Sequence, residues 1–316
     1  MEQRKIPVIL DCDPGIDDAF AIALAGSYSG FDLRALTTVG GNLDLEVTYA
    51  NAMNIAALLG LAVRVGRGAP LPLIRNAERA DFAHGSSGMG YARLPESQEP
   101  EDGTPAWDMI HEEAGKHPGE TVLIATGPLT NIALALVKYP DLKNQLKEIR
   151  IMGGSTAEGN HSPYGEFNIW SDPHAAQIVF ESGIPIYLYG LHLTSQGALS
   201  QAELEEISER SGLGELFDGC IKFLFDPATP YYRKDGAILH DAMTVASLMD
   251  DSLMTYKSAY LTCELTSELS LGRTVMDFRR AAGIDNNAEI AMTLDRTAFV
   301  RIMQGMAERY SKPGTV

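Results

Sequence analysis

The sequence predicts an α/β protein on a mainly parallel, open sheet flanked by helices, with additional C-terminal helices and strands. Two observations carry that prediction. Short β-rich apolar runs alternate with longer stretches of helical period, which implies βαβ crossovers and a sheet covered on both faces. The unusual polar and glycine-rich segments follow the C-terminal ends of those runs, where open α/β sheets bind ligands. Chance would scatter them over both rims, so their clustering predicts one composite site.

In chain order, IPVIL (6–10) reads as a strand, followed by a helix from Asp17 to about Ser27. DLRALTTV (32–39) precedes a helix over 44–59, where Val47, Ala50, Ile55, Leu58 and Leu59 approximate a 3.6-residue stripe. TVLIAT (121–126) leads into the helical PLTNIALALVKYP, and EIRIMG (148–153) comes after it. A helix over 173–182 precedes the strand IPIYLYG. YKSAYLTCEL and RTVMDF are β-like runs in an otherwise helical last third, closed by a helix near 295–310. Three long segments break the rhythm: 66–105 with HGSSGMG, 153–172, and 226–240 reading DPATPYYRKDGAILH. Loops of that length inside a compact domain carry function or act as lids. No repeat or clear linker divides the chain, so a single domain over 1–316 is expected.

Charge narrows the partners. There are 25 Lys+Arg against 42 Asp+Glu, a net charge of −17. Such a surface repels phosphate backbones and anionic lipid, so no nucleic acid and no membrane is expected, whereas a neutral small molecule or a cation fits. Cys12, Cys220 and Cys263 are an odd, widely spaced set without CxxC, which favours a reducing compartment. The apolar run before Asp11 is too short for a signal peptide, and no apolar run is long enough to span a bilayer. A cytoplasmic protein is the expectation.

The sharpest motif is VILDCDPGIDDAFAIALAG (8–26), which places Asp11, Asp13, Asp17 and Asp18 at the end of the first strand. Buried together, they would raise one another's pKa values and resist ionising. A divalent cation removes that conflict, and all-oxygen donors favour Ca²⁺ or Mg²⁺ over zinc. An EF-hand is excluded, because its glycine and glutamate positions hold Ile16 and Ile22. A helix cap explains one or two of the carboxylates but not four. Phosphoryl transfer through an aspartyl nucleophile also uses DxD, but Asp17 and Asp18 add acid where a phosphate would enter.

Two further constellations stand out. His240-Asp241 ends the third long loop, so Asp241 suits a helix cap or a remote metal ligand and His240 a proton donor. Of the seven histidines, His84, His161, His192 and His240 lie in strand-end loops, the better places for function, whereas His111, His117 and His174 fall on helices. GEFNIWSDP (165–173) sets Glu166, Phe167 and Asn168 together, hydrogen-bonding groups for hydroxyls beside an aromatic ring for a sugar or base.

DCDPGIDDAFAI (11–22), TTVGGN (37–42), HGSSGMG (84–90), ATGPLTN (125–131), IMGG (151–154), EFNIWSDPHAA (166–176) and LHDAMTVA (239–246), in this order along essentially the whole chain, resemble the inosine–uridine-preferring nucleoside hydrolase family. The resemblance implies a Rossmann-like core and calcium-dependent hydrolysis of the N-glycosidic bond of ribonucleosides to free base and ribose, in nucleoside salvage. It implies Asp13, Asp18, Asp241 and the Thr126 carbonyl as Ca²⁺ ligands, with Asp13 also the base that takes a proton from water. Asp17 and Asn42 would grip the ribose hydroxyls, and Asn160, Glu166 and Asn168 complete the sugar clamp. Phe167 would pack on the nucleoside, His84 line the base pocket, and Asp11 orient a neighbour. His240 resembles the acid that assists departure of the base, and nearby carboxylates are expected to keep it protonated. The pair Tyr231-Tyr232 lies in the loop that closes over the base, and Tyr231 or Tyr232 is expected to contact the leaving group.

Relatives are homodimers or homotetramers, and either is expected here. Three departures from the family pattern are present: Ala242-Met243 where HD is commonly followed by Pro, His192-Leu193-Thr194-Ser195-Gln196 where Asp-Val-Thr and a basic pair are common, and Gly41 where Ala is frequent, expected to be a mild change. The expected base preference is pyrimidine or mixed. The alternatives are hydrolysis of another ribosyl compound, or nucleoside or calcium binding without turnover.

Overall fold

The computed structural model describes residues 4–279 and 285–311. Among them nine strands form one sheet: β1 (Ile6–Cys12), β2 (Phe31–Thr38), β3 (Arg64–Arg67), β4 (Thr121–Ala125), β5 (Leu146–Met152), β6 (Ile186–Tyr189), β7 (Met254–Cys263), β8 (Thr274–Asp277) and β9 (Ala288–Leu294). Their spatial order is β3-β2-β1-β4-β5-β6-β9-β7-β8. The pairs from β3 through β9 are parallel, and β7 and β8 add an antiparallel edge. This is the mainly parallel, open, helix-flanked sheet that the alternating pattern predicts.

Two predicted boundaries move for local reasons. IPIYLYG pairs only from Ile186, because Pro185 has no N–H to give the ladder. β3 runs into the 66–105 segment, which also contains the short helix Asp81–His84, and neither carries an apolar run long enough to stand out.

Both faces of the sheet are covered. The helix Ile16–Ser27 is apolar nearly all round and correspondingly buried from Ala19 to Ala25, packed between β-sheet and outer helices. Its Phe20 ring stacks on Phe217 with centroids 4.2 Å apart. The opposite face is filled by Ile132, Val179, Phe180 and Ile149.

The site position follows from topology. From β1 the chain winds outward through β2 to β3, then returns to β4 on the other side of β1. The strand order therefore reverses between β1 and β4, opening a crevice above their C-terminal ends. Asp11 and Ala125 are partners across that gap, and Asp13 and Thr126 stand just beyond it.

Candidate active site

The four aspartates of the first motif separate into distinct environments. Asp11 is fully buried on β1. Its Oδ1 accepts the Thr37 hydroxyl at 2.6 Å and the Asn131 amide at 2.8 Å. Burial still pushes its carboxyl up to about 7, and it does not line the cavity described below. Asp13, also fully buried, accepts the Asn42 backbone N–H at 2.6 Å through Oδ2, and its Oδ1 has no partner.

Asp18 is clamped from three sides: Gly15 N–H at 3.0 Å, the Thr126 hydroxyl at 2.9 Å and the Asn42 amide at 3.4 Å. Asp17, one position earlier on the same helix, faces Asp241 instead.

Carboxylate oxygens of Asp17, Asp18 and Asp241 all lie within 4.8 Å of one another. Burial raises Asp17 to about 6, and burial with the charge of Asp17 raises Asp18 to about 7. Asp13 and Asp241 are pushed well above the carboxylate range by burial and by their acidic neighbours. Such a cluster either holds protons or a cation, and an all-oxygen donor set with an orphaned buried Asp13 Oδ1 beside it suits a hard ion. The tight triad includes Asp17, which the resemblance put on the ribose, and leaves Asp13 outside. The Thr126 carbonyl accepts the Asn168 amide at 2.8 Å, which leaves it one further lone pair.

A cavity of about 250 Å³ opens over this triad. Asp17, Asn42, His84, Thr126, Asn160, Glu166, Phe167, Asn168, Tyr231, His240 and Asp241 all line it. Of the predicted site residues, only Asp13 and Asp18 sit behind its wall. Glu166 caps the helix Phe167–Ser171, accepting the backbone N–H groups of Asn168 and Ile169, and its other contact is the Gly154 N–H at 2.9 Å. Burial lifts it to about 7. Asn160 accepts the Phe167 N–H at 2.9 Å, tying the 153–172 loop to that helix.

The cavity's apolar side joins Ala80, Ala83, Phe167 and Tyr231, with Phe82 edge-on to Tyr231 at 5.9 Å. Tyr231 is thus the member of the tyrosine pair that reaches the cavity, while Tyr232 is solvent-exposed.

The histidines require two corrections. His84 Nδ1 accepts the Ile16 N–H at 3.1 Å, which places a neutral ring's proton on Nε2, and burial lowers it to about 4. His240 is lowered to about 3 by burial, by Arg233 and by His84. The expectation that carboxylates keep it protonated fails, because burial and these two basic neighbours outweigh them. His192 is the second correction. Its Nε2 donates to the Ala291 carbonyl at 3.0 Å, away from the cavity, so it secures β9. The departure around it has a purpose: Gln196 donates to the Met292 carbonyl, and the Thr194 hydroxyl meets His240 Nδ1 at 2.8 Å.

Arg233, Phe82 and Thr194 were not singled out from sequence. Arg233 and Tyr231 are neighbours in the 226–240 loop, and only that proximity could have signalled it.

Comparison with known proteins identifies the family. The family described as inosine-uridine preferring nucleoside hydrolase matches residues 8–301. The pyrimidine-specific ribonucleoside hydrolase RihA of Shewanella woodyi is 37% identical over 97% of this chain and 99% of its own. The non-specific ribonucleoside hydrolase RihC of Escherichia coli is 37% identical over 93% and 96%. Among solved structures, a purine-preferring ribonucleoside hydrolase from Gardnerella vaginalis superposes with a TM-score of 0.88 at 31% identity, covering 96% of this chain and 99% of that one. A plant nucleoside hydrolase does so with 0.87 at 30%, covering 98% and 99%. The chain therefore belongs to the inosine-uridine preferring nucleoside hydrolases, enzymes that cleave N-glycosyl bonds.

Proposed function

We propose that this enzyme hydrolyses ribonucleosides to ribose and free base in a calcium-dependent reaction serving nucleoside salvage, with pyrimidine or mixed base preference. The observation that carries the proposal is a carboxylate triad facing a small cavity whose other wall is aromatic. Similarity to pyrimidine-specific and non-specific ribonucleoside hydrolases supports the base preference. Among the described residues no helix is long and apolar enough to cross a membrane, in keeping with the cytoplasmic site we propose. A homodimer or homotetramer is proposed by family likeness, to be tested by light scattering.

Calcium would be held by Asp13, Asp18, Asp241 and the Thr126 carbonyl, and when bound it supplies the charge that lets these carboxylates ionise and lowers the pKa of a nearby water. Asp17, Asn42, Asn160, Glu166 and Asn168 grip the ribose hydroxyls. Asp13 takes the proton from water with its unpartnered Oδ1. Positive charge that develops on the ribose ring meets a wall of carboxylates, so the site is complementary to the transition state rather than to the neutral substrate. Phe167 and His84 border the nucleoside, and Tyr231 covers the leaving group. His240 assists departure of the base as a neutral imidazole, Nδ1 accepting the Thr194 hydroxyl and the Nε2–H donating a hydrogen bond to the base, which takes its proton from solvent.

The test is ribose released from uridine, cytidine, inosine, adenosine and guanosine, with EDTA and then with calcium restored. Release abolished by chelator and recovered with calcium supports the proposal. Calcium binding without cleavage of any of them would sink it.

A further inference from the structure

We infer that Arg233 anchors the departing base and selects nucleosides whose base carries a ring carbonyl. The inference rests on the function proposed above and adds a residue that touches the leaving group. Arg233 lines the cavity beside Tyr231 and His240, and it is the only Lys or Arg among the lining residues. Its guanidinium carbon stands over the Tyr231 ring, 3.4 Å from the ring centre, a cation–π contact that positions the group. Among the described residues it enters no ion pair, although other arginines of this chain do. A half-buried guanidinium that is positioned by Tyr231, which it also hydrogen-bonds, and that enters no ion pair keeps most of its donors for a ligand.

That ligand is electron-rich. When the C1′–N bond breaks, its electron pair stays on the base. In uracil, cytosine, hypoxanthine and guanine the charge spreads onto a carbonyl oxygen, the acceptor that an all-donor group suits best. The water oxygen bonds to C1′ as the C1′–N bond breaks, one of its protons goes to Asp13, and the base takes up a proton from solvent before release. Arg233 donates to the carbonyl oxygen as charge builds there, a stabilisation present in the transition state and nearly absent in the neutral nucleoside. Adenine has ring nitrogens but no carbonyl and gains least.

The test compares wild type, Arg233→Gln and Arg233→Lys on uridine, inosine, adenosine and 4-nitrophenyl β-ribofuranoside, whose phenolate leaves without assistance. Adenosine is expected to be the poorest of the three nucleosides for wild type. Arg233→Gln is expected to lower kcat/KM for uridine and inosine by about 10²-fold. It should leave the nitrophenyl riboside little changed, with Arg233→Lys intermediate on the nucleosides. Intact nitrophenyl activity also reports a folded site. Equal losses on all four substrates, or an unimpaired Arg233→Gln on uridine, would overturn the inference alone. A wild type that cleaves no nucleoside would overturn the proposed function and this inference together.

Discussion

Gly41 to Ala, expected from the family pattern to be mild, meets a different packing in this chain and is the smallest change that tests how Asp13 is held. A Cβ at Gly41 would overlap Asp13 Oδ2 outright and come within 2.7 Å of Pro128 Cδ. Ordinary contact begins at 3.4 Å, so the carboxylate must move by more than about 1 Å, a misplacement that can cost on the order of 10²-fold in rate. The move also breaks the 2.6 Å hydrogen bond from the Asn42 N–H. Bonds of that charged kind contribute about 1.5–3 kcal/mol. Loss of glycine's freedom in the unfolded chain returns about 0.4–1 kcal/mol, since residue 41 is not in the left-handed region. The net expectation is a destabilisation of about 1–2 kcal/mol, a fall of a few degrees in Tm. The fall in kcat/KM for uridine, about 10²-fold, is far larger in proportion. Ribose release and thermal unfolding in the same buffer measure both. Gly115→Ala is the control: it sits exposed in the helix Ala106–Lys116, its Cβ would make only an ordinary contact with Gln145, and it should raise stability by up to about 1 kcal/mol. Wild-type kcat/KM in Gly41→Ala would mean that Asp13 is neither held as described nor needed where it stands.

Two other outcomes follow from buried charge. Asp11, Asp18 and Glu166 are raised to about 7, with Asp13 and Asp241 well above the carboxylate range, so the native state binds protons that the unfolded chain has already released. Above pH 6.5 the depressed histidines are mostly neutral in both states, and only these carboxylates act. In EDTA, Tm should therefore fall as pH rises from 6.5 to 8, and saturating calcium should flatten that slope; a flat EDTA profile would contradict the raised carboxylates. Away from the cavity, Glu148 and Arg150 form a buried pair at 2.7 Å, with Ser247 as a second partner of the guanidinium. Glu148→Ala should cost about 3–5 kcal/mol and leave KM for uridine unchanged, read by denaturant unfolding beside steady-state assays.

Much of this site was legible in the sequence because its parts are local. Four aspartates within eight residues of one strand end, the Glu166–Asn168 triplet and the His240-Asp241 pair each declare themselves without tertiary information. The apolar runs likewise located β1 and β4, which are buried on both faces and read as nearly continuous apolar stretches, and β2, β5 and β6, whose buried positions are interrupted by a few polar or partly exposed ones. What spacing cannot show is which carboxylate oxygens remain free. Asp11 is occupied by Asn131, 120 positions away, and Asp13 by the backbone of Asn42. Asp17 instead joins Asp18 and Asp241 because the helix beginning at Ile16 turns it toward the start of the helix His240–Ala246.

The same limit explains the error over His240, and that error bears on the mechanism. From sequence, an imidazole next to Asp241 and near four aspartates belongs in a negative field and should be charged. In the fold those carboxylates are themselves partly protonated without a cation, and any ion they hold would cancel them further. What His240 meets directly is the Thr194 hydroxyl, with the charge of Arg233 and the His84 ring also acting on it. Burial then decides, and the ring is neutral. A neutral imidazole donates a hydrogen bond to the leaving group but brings it no positive charge. Arg233 is the lining residue that carries one at every physiological pH. The two ends of the broken bond thus face opposite fields, carboxylates toward the ribose and a guanidinium toward the base. Both are fixed before substrate arrives, which is the condition under which electrostatic stabilisation costs no reorganisation during the reaction.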